Sequence, residues 1–215
     1  ITLLGKCNEA ANLNWPDGQG ERKLLEVIWS LLIINGNISI RKEALEAVRG
    51  PSMTLSKAAL NSLIQTKSKE RDQALEIFYE KWKNNPIVLD SWFNMQSSID
   101  RENSIEFVNE LLNHPLFDPI APNSIRAVLG GFSQNINTFH SIDGKGYLFM
   151  AEQIAKVDQR NAITASRMIK VFGQWGKYIE PNQLMMLKAI NKLKEYKLSS
   201  NTREILDLII NKTEG

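Results

Sequence analysis

A chain of 215 residues is long enough for one or two domains with a sizeable core. Its 26 basic and 24 acidic residues leave a net charge of +2 and are interspersed, so no block of like charge marks a nucleic-acid face or a membrane surface. A single cysteine, Cys7, cannot close an internal disulfide, which points to a reducing compartment or to indifference about redox state; the expected setting is cytoplasmic.

The first residues, through "NLNWPDGQG", carry no periodic pattern, and 1–20 are expected as a loop or frayed lead-in to a helical-repeat domain over 21–215. The chain opens at Ile1 without a signal peptide and is expected to be a piece of something longer. From Glu21 onward apolar residues recur at spacings of three and four, and no segment alternates in period two for long. The run "LLEVIWSLLII", broken by Glu26 and Ser30, is too short to cross about 30 Å of hydrocarbon and reads as a core helix. Ser68 is placed to cap "KERDQALEIFYEKWKNN", with Leu75, Phe78 and Trp82 on one face. Asn85 and Pro86 open the next helix, whose Leu89, Trp92 and Phe93 point inward. Trp82 and Trp92 are expected to face one another, and all five tryptophans, at 15, 29, 82, 92 and 175, read as packing residues.

Asp100 is placed to cap a helix over 101–113 that Pro115 stops, and Pro122 opens "PNSIRAVLGGF", which its glycines end. Four more helices follow, at 147–157, 162–175, 181–196 and 202–211. Helices joined by a few residues pack as antiparallel neighbours. The expected fold is therefore all-α: irregular antiparallel helical hairpins stacked as a HEAT/armadillo-like α-superhelix, inferred from element order because no strict repeat is present.

The stretch "FHSIDGKGYLFM" frames a lysine with glycines, but a phosphate loop needs Ser or Thr after the Lys, and Lys145 is followed by Gly146. A calcium loop needs oxygen ligands at alternate positions, which Gly144, Lys145 and Gly146 do not provide. Two glycines taking positive φ to reverse the chain before a buried helix is the simpler reading. His114 and His140 are far apart with no second ligand at helical spacing, and read as packing or helix-end residues. Cys7 lacks a neighbouring base, and "ERD" and "DQR" read as solvated helix starts. "LGGFS" lacks the strand a nucleotide turn requires. The residues themselves describe a non-catalytic helical domain.

Taken together, "FYEKW" with "DSWF", "HPLFD" with "PNSIRAVLGGF", "FHSIDGKGYLFM", and "QRNAITASRM" with "LMMLKAINKL" resemble the C-terminal helical domain of the aminopeptidase N family of zinc aminopeptidases, in the family's order and spacing. The likeness runs from about Met53 to Leu208; it departs at Ser52, where the family usually has Asn, and at Ala162, where it usually has Pro. The resemblance implies a non-catalytic domain that encloses the active-site chamber of an enzyme removing N-terminal residues from peptides. Zinc and the general base would sit in an upstream thermolysin-like catalytic domain of the same polypeptide, with no cofactor or metal ligand in this stretch. It further implies that Arg126 and Arg167 look toward the chamber and the distal part of a peptide, where a guanidinium fork suits carboxylates and carbonyls; tying helix ends is the alternative role. Asn123 and Asn161 would orient backbone around those arginines or cap helices. Asp143, Gly144 and Gly146 would form a turn near the chamber wall, with Asp143 capping the helix or meeting the catalytic domain. Expected partners are that domain and peptide substrates, with no nucleic acid and no membrane. An independent helical-repeat adaptor that binds protein is the competing reading, and a free-standing enzyme is the third.

Overall fold

The structure, a computed structural model, describes residues 3–11, 13 and 17–211. Among these every regular element is helical. The chain divides into two compact units, 1–95 and 96–215, and the boundary falls inside the sixth helix.

The first unit contains α1 (Leu3–Ala11), α2 (Gln19–Ile34), α3 (Ile38–Arg49), α4 (Met53–Leu63), α5 (Lys69–Trp82) and most of α6 (Pro86–Ser98). Two of these helices pack both on the neighbour and on the one after it: α2 on α3 and α4, α3 on α4 and α5. Stacked helical hairpins pack in this way, and their sequence cause is in the turns. Gly36, at φ 83°, ends α2 in the left-handed conformation that spares a Cβ, while the next residue, Asn37, accepts from the Ile40 N–H at 3.1 Å to start α3. Ser52, Ser68 and Asn85 accept in the same way from Leu55, Arg71 and Val88. Ala59, Leu60, Leu63, Ala74, Phe78 and Phe93 are wholly buried between the helices, each larger side chain contributing about 1.5–3 kcal/mol of apolar transfer.

The lead-in is more structured than its composition suggests. Leu3–Ala11 is a helix whose Cys7 and Ala11 are buried. Arg22, itself buried, donates to the carbonyls of Ala11, Leu13 and Asp17. A guanidinium 11 residues downstream thus satisfies the end of α1, which no local pattern announces. Trp15 lies outside the described residues. Trp82 does not face Trp92: its ring partner is Phe78 at 6.5 Å, whereas Trp92 packs on Tyr79 at 4.8 Å and donates to the Leu75 carbonyl at 3.0 Å. The Trp92 N–H found a carbonyl of the preceding helix, and that fixed its ring one turn away from Trp82.

The second unit holds α7 (Ser104–Leu112), α8 (Pro122–Ile125), a π-turn (Arg126–Gly130), α9 (Gly131–Gln134), α10 (Ile136–Phe139), α11 (Lys145–Asp158), α12 (Ala162–Met168), α13 (Glu180–Lys194) and α14 (Ser200–Asn211). Buried α11 packs on α10, α12 and α13, and α12 packs on α14. Rings of Phe149, Phe132, Phe139 and Tyr147 meet edge to face in a row, with centroids 5.3, 5.7 and 5.2 Å apart.

Three expectations are corrected here. The glycines of "LGGF" do not stop the helix: Gly130 and Gly131 keep right-handed φ of −68° and −60°, and the chain passes through the π-turn into α9. Glycine permits a stop without enforcing one, and buried Val128, Leu129 and Phe132 hold both sides of the pair. Asp100 does not cap α7, which starts at Ser104; its carboxylate accepts instead from Asn137 and Thr138. The helix expected over 162–175 ends at Met168 and tightens into 3₁₀ turns at Ile169–Phe172 and Trp175–Lys177, a form helix ends commonly take.

Candidate functional site

The segment before α8 is built by short side chains. The Asp118 carboxylate accepts the N–H groups of Ile120 and Ala121 at 2.8 and 3.0 Å, and the Ser124 hydroxyl accepts the Asp118 N–H at 3.2 Å. This folds "FDPIAPNS" back on itself and leaves Pro122 as the first residue of α8, where its missing N–H costs nothing. Arg126 follows as the first residue of the π-turn. Its Nη2 donates to Asn123 Oδ1 at 2.5 Å, one turn back, and both side chains are exposed.

Asn161 does two jobs. Its Oδ1 accepts the Thr164 N–H at 3.0 Å, capping α12, and its Nδ2 donates to the Ile120 carbonyl at 3.0 Å, which ties the start of α12 to the segment before α8. Arg167, on α12, is exposed, and its guanidinium makes no hydrogen bond or ion pair with the described residues. Asn123 and Arg126 are therefore joined directly, Asn161 is joined to the loop that precedes them, and Arg167 stands alone.

The "DGKG" turn opens α11. Gly144 has φ 71°, and a Cβ on it would lie 2.8 Å from Met185 Cβ. Gly146 does not take positive φ as expected; a Cβ there would come within 2.6 Å of the Thr138 carbonyl oxygen, so close approach of α10 is what requires glycine. Asp143 Oδ1 accepts the Lys145 N–H at 3.0 Å and its other oxygen lies 3.3 Å from Lys145 Nζ. That backbone bond, with the lysine charge behind it, holds the Asp143 carboxyl below its ordinary range.

Two clusters join distant positions and were invisible to spacing. His140 Nδ1 lies 2.7 Å from the Tyr147 hydroxyl, Asn182 Nδ2 donates to that hydroxyl at 2.9 Å and to the His140 carbonyl at 2.8 Å, and the His140 ring stacks on Tyr178 at 4.7 Å. Burial lowers the His140 pKa and raises that of Tyr147, against the opposing Asn182 hydrogen bond. His114, lowered likewise by burial, accepts the Leu116 N–H at its Nδ1. In the second cluster Asp158, buried at the end of α11, accepts from Ser199 N, Ser199 Oγ and Thr202 Oγ1 at 2.6, 2.6 and 2.5 Å, locking α14 to α11.

Among the described residues no three His, Cys, Asp or Glu side chains gather where they could hold a metal ion, so the donor set does not fit zinc. None of the described helices is long and apolar enough to cross a membrane.

Residues 2–211 match the family described as "Domain of unknown function (DUF3458_C) ARM repeats". The chain belongs to this ARM-repeat family. The helix-on-second-neighbour packing described above is accordingly that of an α-superhelical repeat. Among curated relatives, aminopeptidase N of Caulobacter vibrioides is 37% identical over 137 residues, covering 63% of this chain and 16% of that protein. Aminopeptidase N of Escherichia coli is 35% identical over 144 residues, covering 66% and 17%. A solved structure described as Legionella pneumophila aminopeptidase A in complex with aspartic acid superimposes with a TM-score of 0.86 at 28% identity, covering 97% of this chain and 26% of that one. The chain thus spans about a sixth of the length of the curated relatives it matches, and these likenesses fit a C-terminal domain of the aminopeptidase N family, as the motifs suggest.

Proposed function

We propose that this ARM-repeat domain is the non-catalytic C-terminal domain of a cytoplasmic, zinc-dependent aminopeptidase that removes N-terminal residues from peptides. In this reading it walls off the active-site chamber and restricts which substrates enter, while zinc and the general base belong to an upstream catalytic domain of the same polypeptide. The single observation that carries the proposal is the combination of coverages: aminopeptidases match about two thirds of this chain, yet the chain accounts for about a sixth of their length.

Two features support it. On α2 the side chains of Leu24, Val27, Leu31 and Ile34, spaced by three and four, are 40%, 47%, 58% and 56% exposed, an apolar stripe suited to docking against the rest of a larger polypeptide. Arg167 is an unengaged guanidinium and Arg126 has only a neutral amide for company, so both remain available to a peptide's carbonyls or C-terminal carboxylate.

In the complete enzyme, Arg167→Ala and Arg126→Ala should lower kcat/KM for peptides of four or more residues by roughly tenfold, the size of one charged hydrogen bond, and leave a single-residue chromogenic substrate nearly unaffected. Equal losses on both substrates would assign these arginines a structural role and remove them from the site.

A further inference from the structure

In the second unit a cavity of about 150 Å³ opens between the end of α7, the π-turn and the end of α11. Leu112, Phe117 and Leu129 line its apolar side, and Gln153, Lys156 and Arg160 line the other. Gln153 and Lys156 stand three residues apart near the end of α11, and Arg160 lies in the turn just beyond it. No acidic residue lines the cavity. Of the nearest acids in sequence, Asp158 is engaged by Ser199 and Thr202, and Glu152 lines a neighbouring hollow whose rim Lys156 shares, without an ion pair between the two.

Gln153 is the informative residue. Only 7% of it is exposed, and its side chain makes no hydrogen bond with the described residues. An amide so nearly buried and without a protein partner is a ready donor to whatever enters beside it. Its head is not sealed in the core, because the fully enclosed side-chain polar atoms lacking a partner are those of Arg41, Thr66 and Trp82. The Gln153 amide therefore reaches the cavity. Lys156 and Arg160, exposed beside it, have no ion-pair partner among the described residues. The third element is the backbone: Leu129 belongs to the π-turn, a helix irregularity found frequently at functional sites.

From this juxtaposition we infer that the cavity binds a small carboxylate carrying a short aliphatic stem. Lys156 and Arg160 receive the charge, the Gln153 amide donates to one carboxylate oxygen, and the stem lies against Leu112, Phe117 and Leu129. At about 30 Å³ for each water displaced, the space accommodates roughly five or six heavy atoms, the size of butyrate or of a glutamate side chain. A phosphate, polar on every side, leaves the apolar wall formed by Leu112, Phe117 and Leu129 without a match. The inference concerns α7, the π-turn and α11 only, and holds independently of the role proposed above for Arg126 and Arg167.

The test is saturation-transfer NMR on the intact protein with three probes: sodium butyrate, uncharged butyramide, and a tripeptide with a central glutamate and both ends blocked. Saturable transfer from butyrate or from the blocked peptide, with none from butyramide, is the expected result, and whichever of the two binds more tightly identifies a free acid or an acidic side chain as the source. Lys156→Gln with Arg160→Gln, both at exposed positions, should weaken binding about tenfold or more, and Gln153→Leu should abolish it while thermal unfolding confirms that each variant is folded. No saturable transfer from either carboxylate, butyramide binding as well as butyrate, or unchanged affinity in the folded double variant would each overturn the assignment.

Discussion

The Tyr147 hydroxyl lies 2.7 Å from His140 Nδ1 and 2.9 Å from the Asn182 amide nitrogen. The amide nitrogen donates to the hydroxyl, and with the imidazole proton on Nε2 the phenol in turn donates its hydrogen bond to His140 Nδ1. A neutral histidine suits this arrangement: an imidazolium would reverse the His140 bond, so that the hydroxyl accepts twice and its own proton loses its partner.

Burial lowers the His140 pKa below its ordinary 6.5, so folding favours the neutral ring. The stability this contributes is complete above the unfolded pKa of about 6.5 and is lost as pH falls through the folded value. Melting temperature should therefore fall as pH drops below about 7, and His140→Gln should flatten that slope. His114, lowered in the same direction, leaves a residual slope that His114→Gln removes. Tyr147→Phe should cost about 1–3 kcal/mol at pH 7 by orphaning the imidazole nitrogen and one amide proton, measured by urea unfolding.

Two glycines separate conformational freedom from space. Gly146→Ala places a methyl 2.6 Å from the Thr138 carbonyl oxygen and 2.8 Å from Phe139 Cα, forcing α10 and α11 apart, and should destabilise by about 2 kcal/mol or more. Gly130→Ala meets nothing within 4 Å at a right-handed φ, and should be neutral or stabilising by about 0.4–1 kcal/mol. Paired thermal melts decide the contrast; a destabilising Gly130→Ala would mean that the π-turn depends on glycine flexibility.

Asp158 accepts three hydrogen bonds from the start of α14. Asp158→Ala should cost about 3 kcal/mol, since it strands donors in a buried site, and Asp158→Asn less because one acceptor oxygen survives. Amide exchange should quicken first in 200–205. Uniform acceleration across the second unit would show that the bond holds the whole unit, beyond the one helix.

What spacing could reveal followed the range of the forces involved. The caps made by Ser68, by Asn85 with Pro86, and by the Asn161 side-chain oxygen act within four residues, and each is visible in sequence, whereas the Asn161 bond to Ile120 is not. The buried faces of α5 and α6 were likewise legible because Leu75, Phe78, Leu89, Trp92 and Phe93 repeat with the helix. Asp100 also looked like a cap, but its partners, Asn137 and Thr138, are 37 and 38 residues away. Arg22 reaching back to α1, Tyr147 meeting Asn182, and Asp158 meeting Ser199 are similarly set by packing. Gln153 carries no sequence signal at all: a glutamine on a helix is ordinarily solvated, and only its burial beside a cavity marks it.

The α2 stripe offers the sharpest test of whether this unit docks on more polypeptide. Leu31 is 58% exposed here; in a chain whose α2 faces water, Leu31→Glu changes stability by no more than about 0.5 kcal/mol. Under the docking proposal the same substitution in the intact protein buries a carboxylate against an apolar partner, and should cost about 2–4 kcal/mol. Val27→Glu, one turn back on the same stripe, should behave alike, whereas Lys23→Glu, off the stripe, should not. Unfolding of the intact protein by urea distinguishes the cases, and indifference to both stripe substitutions would leave α2 a solvent-facing helix and favour a separate adaptor.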